Sequence, residues 1–208
     1  MSIDYAKARR VLARRDPVLA GLMRRHGACG LADAQHAEPF RALVHAIIAQ
    51  QLSSKAAATI ERRVHGLLAT RKPSPAAFAT LADTELRAAG MSSQKIRYLR
   101  DLCARVESGA LDLDALHELP DDEVIAALTQ VKGIGRWTAE MFLMFRLHRP
   151  DVLPVGDLGI VRAVQRAYGL RKAPTPERLL RLGEPWRPYR SVACWYLWAS
   201  LDNAPLAE

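Results

Sequence analysis

Two short stretches hold residues whose types and spacing could do chemistry. In Leu128-Thr-Gln-Val-Lys-Gly-Ile-Gly-Arg-Trp-Thr-Ala-Glu-Met141, Gly133 and Gly135 flank a single apolar residue. That spacing suits a tight hairpin, and Arg136, Trp137 and Thr138 behind it read as the first turn of a helix. Glycine tolerates positive φ and lets a ligand approach the backbone. A helix start offers unpaired N–H groups and a positive dipole end, which suit phosphate. Such a grip holds a nucleic-acid backbone without reading its sequence. By spacing alone, an ordinary glycine turn between two helices explains the pattern equally well. About a helix later, Leu153-Pro-Val-Gly-Asp-Leu158 puts Asp157 on a loop bent by Pro154 and Gly156. An Asp in front of a helix is usually its N-cap. A phosphate grip followed by a placed acid is also the outline of an enzyme that works on DNA. Asp151, earlier in the same loop, reads as a solvated acid.

Helices must position these residues, because helical periodicity is common along the chain and β-type alternation is scarce. Tyr5 to Arg25 reads as one amphipathic helix or two, interrupted near Asp16-Pro17. A helix from Pro39 to about Gln51 puts Phe40, Leu43, Val44 and Ile47 on one face, and a second runs from Ser54 to Leu68. Ser74-Pro75 is an N-cap followed by proline at the first helical position. Asp83 to Gly90 is a short helix with a glycine stop. Ser92 or Ser93 caps a helix to about Ser108. Asp122 to Gln130 and Arg136 to Leu147 flank the hairpin. Asp157 begins a helix toward Tyr168, Thr175-Pro176 starts another, and Ser191 to Leu201 closes the fold. The expected class is all-α, with about ten helices. The expected organisation over 1–208 is a single helical unit of two packed lobes. One lobe spans about 30–120, and the other takes 1–29 with 121–208, including the hairpin motif at about 122–147.

Composition narrows the function classes. Half of the 208 residues are apolar, enough for a real core. No segment approaches the roughly 18 unbroken apolar residues of a membrane span. The first residues lack an apolar signal core, so the expected compartment is the cytoplasm, or the nucleus in a eukaryote. Cys29, Cys103 and Cys194 are odd in number and far apart, which argues against a disulfide framework and a zinc or iron–sulfur site. The six histidines show no ligand spacing, so no metal is assigned to side chains. The net charge of +8 rests on 24 Arg and 6 Lys. A basic, arginine-rich surface attracts polyanions.

The two stretches belong to a longer pattern. Leu43-Val-His-Ala-Ile-Ile-Ala-Gln-Gln-Leu-Ser53, Gly90-Met-Ser-Ser-Gln-Lys-Ile-Arg-Tyr-Leu99, Val131-Lys-Gly-Ile-Gly-Arg-Trp-Thr-Ala139 and Val152-Leu-Pro-Val-Gly-Asp-Leu158 occur in that order, with a weaker block at Trp186 to Ala193 ending in Trp198. The chain from Phe40 to Leu201 thereby resembles the helix–hairpin–helix plus Gly/Pro…Asp superfamily of DNA glycosylases. It looks most like the alkylation-repair branch, the DNA-3-methyladenine glycosylase II family, in a compact form without that family's N-terminal β-rich domain.

The resemblance implies a set of roles. Asp157 matches the catalytic loop aspartate, which stabilises an oxocarbenium-like sugar and orients water. The backbone of Gly133 and Gly135, with Lys132, Arg136 and Thr138, would hold DNA. Trp137, Trp198 and Met141 would line the pocket for an extruded base. Alkylated purines are cationic and suit an indole face. Met141 stands where a larger bacterial member has an aromatic residue. The gap left by the flipped base needs a wedge, matched by Gln51 with Leu52 as the alternative. Trp137 occupies the position of the lysine that lyase relatives use, so the implied enzyme is monofunctional. No dedicated cofactor is implied, beyond a Na+ or K+ on backbone carbonyls of about Thr129, Val131 and Ile134.

The expected partner is damaged double-stranded DNA, with no membrane and a monomeric protein. Rival readings stay open: a glycosylase for hypoxanthine, ethenoadenine or uracil, and a non-catalytic hairpin DNA-binding protein. A helix-turn-helix regulator is less apt, because the helix through Phe142 to Met144 is apolar.

Overall fold

The computed structural model describes residues 3–33, 38–70 and 72–201. The C-terminal stretch 202–208 lies outside them. The described residues form twelve α-helices and three 3-10 turns, with no strand among them. The all-α expectation holds. The first six helices are α1 (Tyr5–Arg15), α2 (Pro17–His26), α3 (Pro39–Ala49), α4 (Ser54–Leu67), α5 (Pro75–Ala79) and α6 (Asp83–Ala88). Then come α7 (Ser93–Glu107), α8 (Asp121–Thr129), α9 (Arg136–Phe145), α10 (Leu158–Ala167), α11 (Pro176–Gly183) and α12 (Arg190–Ala199). No described helix is long and apolar enough to cross a membrane.

Local chemistry sets the boundaries. Asp16 splits the first amphipathic stretch in two: its carboxylate accepts the N–H groups of Val18 and Leu19, and Pro17 opens α2. Ser53, Ser74, Ser92 and Thr175 cap α4, α5, α7 and α11 through their hydroxyls. Gly90 ends the α6 segment at φ +109°. Two expectations change. The helix from Pro39 stops at Ala49, because Gln50 leaves the helical region and Gln51 turns left-handed at φ 58°. The described residues hold twelve helices where about ten were expected, and the break at Asp16 makes two of the first stretch.

The chain divides into two compact units: residues 37–142, and residues 1–36 with 143–208. The hairpin therefore falls in the internal unit, whereas the sequence reading grouped it with the termini. The physical reason is its anchoring to α3 and α7, described below. The internal unit buries Phe40, Leu43, Val44 and Ile47 of α3 with Phe78, Ile96 and Leu99, and the Phe40 and Phe78 rings lie 6.2 Å apart. The terminal unit buries Leu12, Leu19, Ile160, Val164, Trp186 and Tyr196. Its buried Asp16 also accepts the Trp186 Nε1–H at 2.9 Å and the Tyr168 hydroxyl, so no lone pair is stranded in the core. All three cysteines are buried, and burial pushes the Cys103 thiol up to about 12.

Candidate functional site

In the internal unit, α8 and α9 flank the hairpin. Gly133 takes φ +82° and Gly135 does not. A Cβ on Gly133 would run into the Tyr98 ring, whereas one on Gly135 would meet open space. The two glycines thus serve different ends: Gly133 permits the turn, and Gly135 keeps its surroundings clear. Gly135 also starts α9, its carbonyl accepting the Ala139 N–H at 3.1 Å.

Three neighbours hold the hairpin. Asp101 of α7 accepts the Lys132 N–H at 2.9 Å and the Arg105 Nε–H at 2.9 Å. Burial would raise the Asp101 carboxyl, yet the Lys132 amide and the Arg105 guanidinium hold it below the ordinary range. Tyr98 fills the space beside Gly133, and the Gln50 amide donates to the Gly133 carbonyl at 2.7 Å. The Lys132 ammonium is exposed and 3.8 Å from Asp101 Oδ1. Arg136 is also exposed and pairs with buried Glu140 one turn on, Nε to Oε1 at 3.0 Å. Trp137 is 52% exposed, and Met141 follows it on the same face of α9. Gln51 and Leu52 form an exposed turn between α3 and α4. The Val131 carbonyl accepts the Ile134 N–H at 3.0 Å, and those of Thr129 and Ile134 lie on either side of it in the chain.

In the terminal unit, Asp157 caps α10. Its side chain is nearly buried, and Oδ1 accepts the Ile160 N–H at 2.7 Å and the Trp198 Nε1–H at 3.0 Å. The N-cap and the candidate acid are thus the same group. Gly159 sits against this pair: a Cβ there would lie 2.9 Å from Asp157 Oδ1 and 3.1 Å from the indole. Trp198 is buried and its ring stacks on Phe145, centroids 6.1 Å apart. Its observed work is to hold the carboxylate, which the sequence reading, placing it against a base, did not foresee. Phe145 went unnoticed there, since an aromatic on an apolar helix carries no separate signal.

Asp151 corrects another expectation. It is not a solvated loop acid: it accepts two bonds from the Arg190 guanidinium, Nε at 2.8 Å and Nη2 at 3.0 Å, and one from Arg187 at 2.9 Å. Ser191 adds to the clamp, donating to the Arg149 carbonyl and accepting the Val152 N–H. The start of α12 therefore pins the beginning of the loop that ends in Asp157. This accounts for the weaker sequence block around Arg187 and Arg190.

Residues 44–188, which include both the hairpin and the carboxylate loop, match the family described as HhH-GPD superfamily base excision DNA repair protein. The chain belongs to that superfamily. A DNA-3-methyladenine glycosylase 1 of Schizosaccharomyces pombe is 38% identical over 163 residues, covering 77% of this chain and 72% of the relative. Among solved structures, a DNA-3-methyladenine glycosidase from Bacillus halodurans superposes with a TM-score of 0.85 at 40% identity, over 96% of this chain and 91% of that one. A 3-methyladenine DNA glycosylase of S. pombe, solved in complex with abasic DNA, superposes at 0.78 with 32% identity, over 94% of this chain and 97% of that one. In HhH-GPD terms, this chain brings together Asp157 with Trp198, and the hairpin with Gln50, Tyr98 and Asp101.

Proposed function

We propose that the protein is a monofunctional DNA glycosylase that flips out alkylated purines, 3-methyladenine and 7-methylguanine among them, and hydrolyses the N-glycosidic bond to leave an abasic site. The observation that carries this reading is the Asp157 carboxylate, fixed on a clamped loop by the Ile160 amide and the Trp198 indole. The names of the relatives support the substrate class.

As the glycosidic bond breaks, its electron pair leaves with the base and positive charge develops on the sugar. A preorganised carboxylate stabilises that charge with little reorganisation. Water then forms the new bond to the anomeric carbon, and its proton passes to the carboxylate or to solvent. A purine alkylated at N3 or N7 is already cationic in the nucleotide and leaves well, so one acid suffices. The exposed Trp137 indole suits such a base, worth about 0.5–2 kcal/mol. Met141 beside it offers a soft, adaptable contact.

The hairpin N–H groups, with Lys132, Arg136 and Thr138, are assigned to DNA phosphate, and the turn at Gln51 and Leu52 to the gap left by the base. A Na+ or K+ on the carbonyls of Thr129, Val131 and Ile134 belongs to the same proposal. The Thr129 carbonyl closes α8 at its negative dipole end, which suits a cation, and the ion would rigidify the hairpin.

The test is base release from duplexes each carrying one lesion, read by mass. Release of 3-methyladenine and 7-methylguanine by the native protein, and its loss in Asp157→Asn with DNA binding retained, is the expected result. Release of hypoxanthine, ethenoadenine or uracil alone overturns the substrate class. Full activity in Asp157→Asn overturns the role of the acid.

A further inference from the structure

The exposed turn at Gln51 and Leu52 and the glycine hairpin lie more than 80 residues apart in sequence, yet they share one support within the internal unit. Lys95, Tyr98 and Asp101 of α7 follow at intervals of three and therefore line one face of that helix. Lys95 Nζ donates to the Ile48 carbonyl at 2.6 Å. That carbonyl is among the last four of α3, which have no partner within the helix. Tyr98 packs at Gly133, and Asp101 holds the Lys132 amide. The same face thus fixes the end of α3 and the start of the hairpin.

A direct strut joins the two. Gln50 Nε2 donates to the Gly133 carbonyl at 2.7 Å. The next residue, Gln51, is left-handed at φ 58° without being glycine, a conformation that persists only when its surroundings over-determine it. The surroundings here are the Leu52 N–H to Ala49 carbonyl bond at 3.0 Å, the Lys95 contact on Ile48 and the Gln50 strut itself.

We propose that Gln50 is a positioning residue that couples the duplex wedge to the phosphate grip. Its amide ties the turn carrying Gln51 and Leu52 to the hairpin backbone, so phosphate held by the hairpin sets the depth at which the turn enters the duplex. The inference rests on the glycosylase reading and deepens it. Lys95 and Tyr98 supply the rigid bench, and Gln50 supplies the link.

The experiment uses the full chain and a duplex with 2-aminopurine beside an abasic-site analogue, whose fluorescence reports base unstacking. Gln50→Ala removes the strut. Gln50→Glu keeps the length but sets an acceptor against the Gly133 carbonyl. Both variants should lose about tenfold in the unstacking equilibrium and in single-turnover base release, the usual worth of one hydrogen bond at a strained turn. Affinity for undamaged duplex and the melting temperature should stay at native values, because Asp101 and Tyr98 still hold the hairpin. The Glu variant carries a further signature: as pH falls through the carboxyl range, its protonated acid can donate again and its defect should shrink, while that of the Ala variant should not. Native unstacking in both variants overturns the coupling. So does an equal loss on undamaged and damaged DNA, which would make Gln50 a mere prop of the hairpin. A native protein that gives no unstacking signal overturns the glycosylase reading itself, and the coupling with it.

Discussion

The indole Nε1–H of Trp198 and the backbone N–H of Ile160 both donate to the same oxygen of Asp157, Oδ1, at 3.0 and 2.7 Å. The carboxylate is therefore fixed by one oxygen between a helix start and a buried ring. Fixing a reacting group by groups that do not themselves move is how electrostatic preorganisation is built. Trp198→Phe keeps an aromatic ring against Phe145 and deletes the donor, together with part of the indole's volume. Losing one hydrogen bond to a charged group costs about 1.5–3 kcal/mol. Single-turnover base release should fall by about ten- to a hundredfold, with DNA affinity unchanged. Native rates in this variant would mean that the Ile160 amide alone is enough.

Gly159 offers a gentler perturbation of the same pair. A methyl group there meets Asp157 Oδ1 and the Trp198 ring at once, and neither is the end of a flexible chain. Gly159→Ala should displace the carboxylate by a few tenths of an ångström. A shift of that size in a reacting group lowers rate more than stability. The expected pattern is a large loss of base release with a melting temperature only slightly changed, measured side by side. A loss of stability alone would place Gly159 in the packing and outside the chemistry.

The two hairpin glycines should separate cleanly. Gly133→Ala demands positive φ from a side chain and pushes it into Tyr98, so it should destabilise the fold by about 1–3 kcal/mol. The Cβ of Gly135→Val meets open space, so this variant should leave stability nearly intact. It should weaken damaged and undamaged duplex alike, by obstructing phosphate. Native binding should also weaken steeply with salt, as released counterions require. Denaturant titration and duplex binding on both variants check this. A selective loss on damaged DNA in Gly135→Val would count against a phosphate grip.

Much of this was legible in the residues, for identifiable reasons. Helix starts at Ser53, Ser74, Ser92 and Thr175 follow from side-chain oxygens that cap within three residues. The hairpin and the loop of Asp157 were visible because glycine and proline mark sharp turns. What escaped were long-range bonds. Asp151 gave no sign that it would meet Arg187 and Arg190, some 36 and 39 residues away. Trp198 announced an aromatic but not the direction of its Nε1. Gln50 looked like part of a helix, and only its partner at Gly133 reveals its use. The grouping of the hairpin failed for the same cause: it is decided by bonds from Gln50 and Asp101, not by neighbours in sequence.

Acid should weaken the fold through a cluster on α3 and α4. The His45 ring bonded to Glu61 at 2.8 Å holds that carboxyl below its usual 4.5 despite burial. Burial lowers His65 below its usual 6.5, outweighing the attraction of Glu61. For His65 the folded state prefers the neutral ring, so its share of stability is intact above 6.5 and is lost as pH falls below that value. For Glu61 the folded state prefers the carboxylate, so its share is intact above 4.5 and is lost on further acidification. Both act in one direction. Urea unfolding across this range should show two successive declines, the upper one removed in His65→Gln. A flat upper limb in the native protein would contradict the burial argument.

The enzyme should make abasic sites and leave the strand whole. Hydrolysis by water ends at a free sugar aldehyde, whereas cleavage by elimination first needs an amine to form an iminium. Trp137 stands in the first turn of α9 after the hairpin, the position that the family resemblance gives to the lysine of lyase relatives. Asp157 can organise water but cannot form that adduct. Lys132 is the nearest amine in sequence to the hairpin. Its backbone N–H is bonded to Asp101 at 2.9 Å, and its ammonium lies 3.8 Å from the same carboxylate, which holds the side chain on the α7 side of the hairpin. Borohydride added during turnover should therefore trap no covalent protein–DNA complex, and strands should break only after hot alkali. A trapped adduct that vanishes in Lys132→Ala would move the protein to the lyase branch. One that persists in that variant would point to a different amine and equally defeat the monofunctional reading.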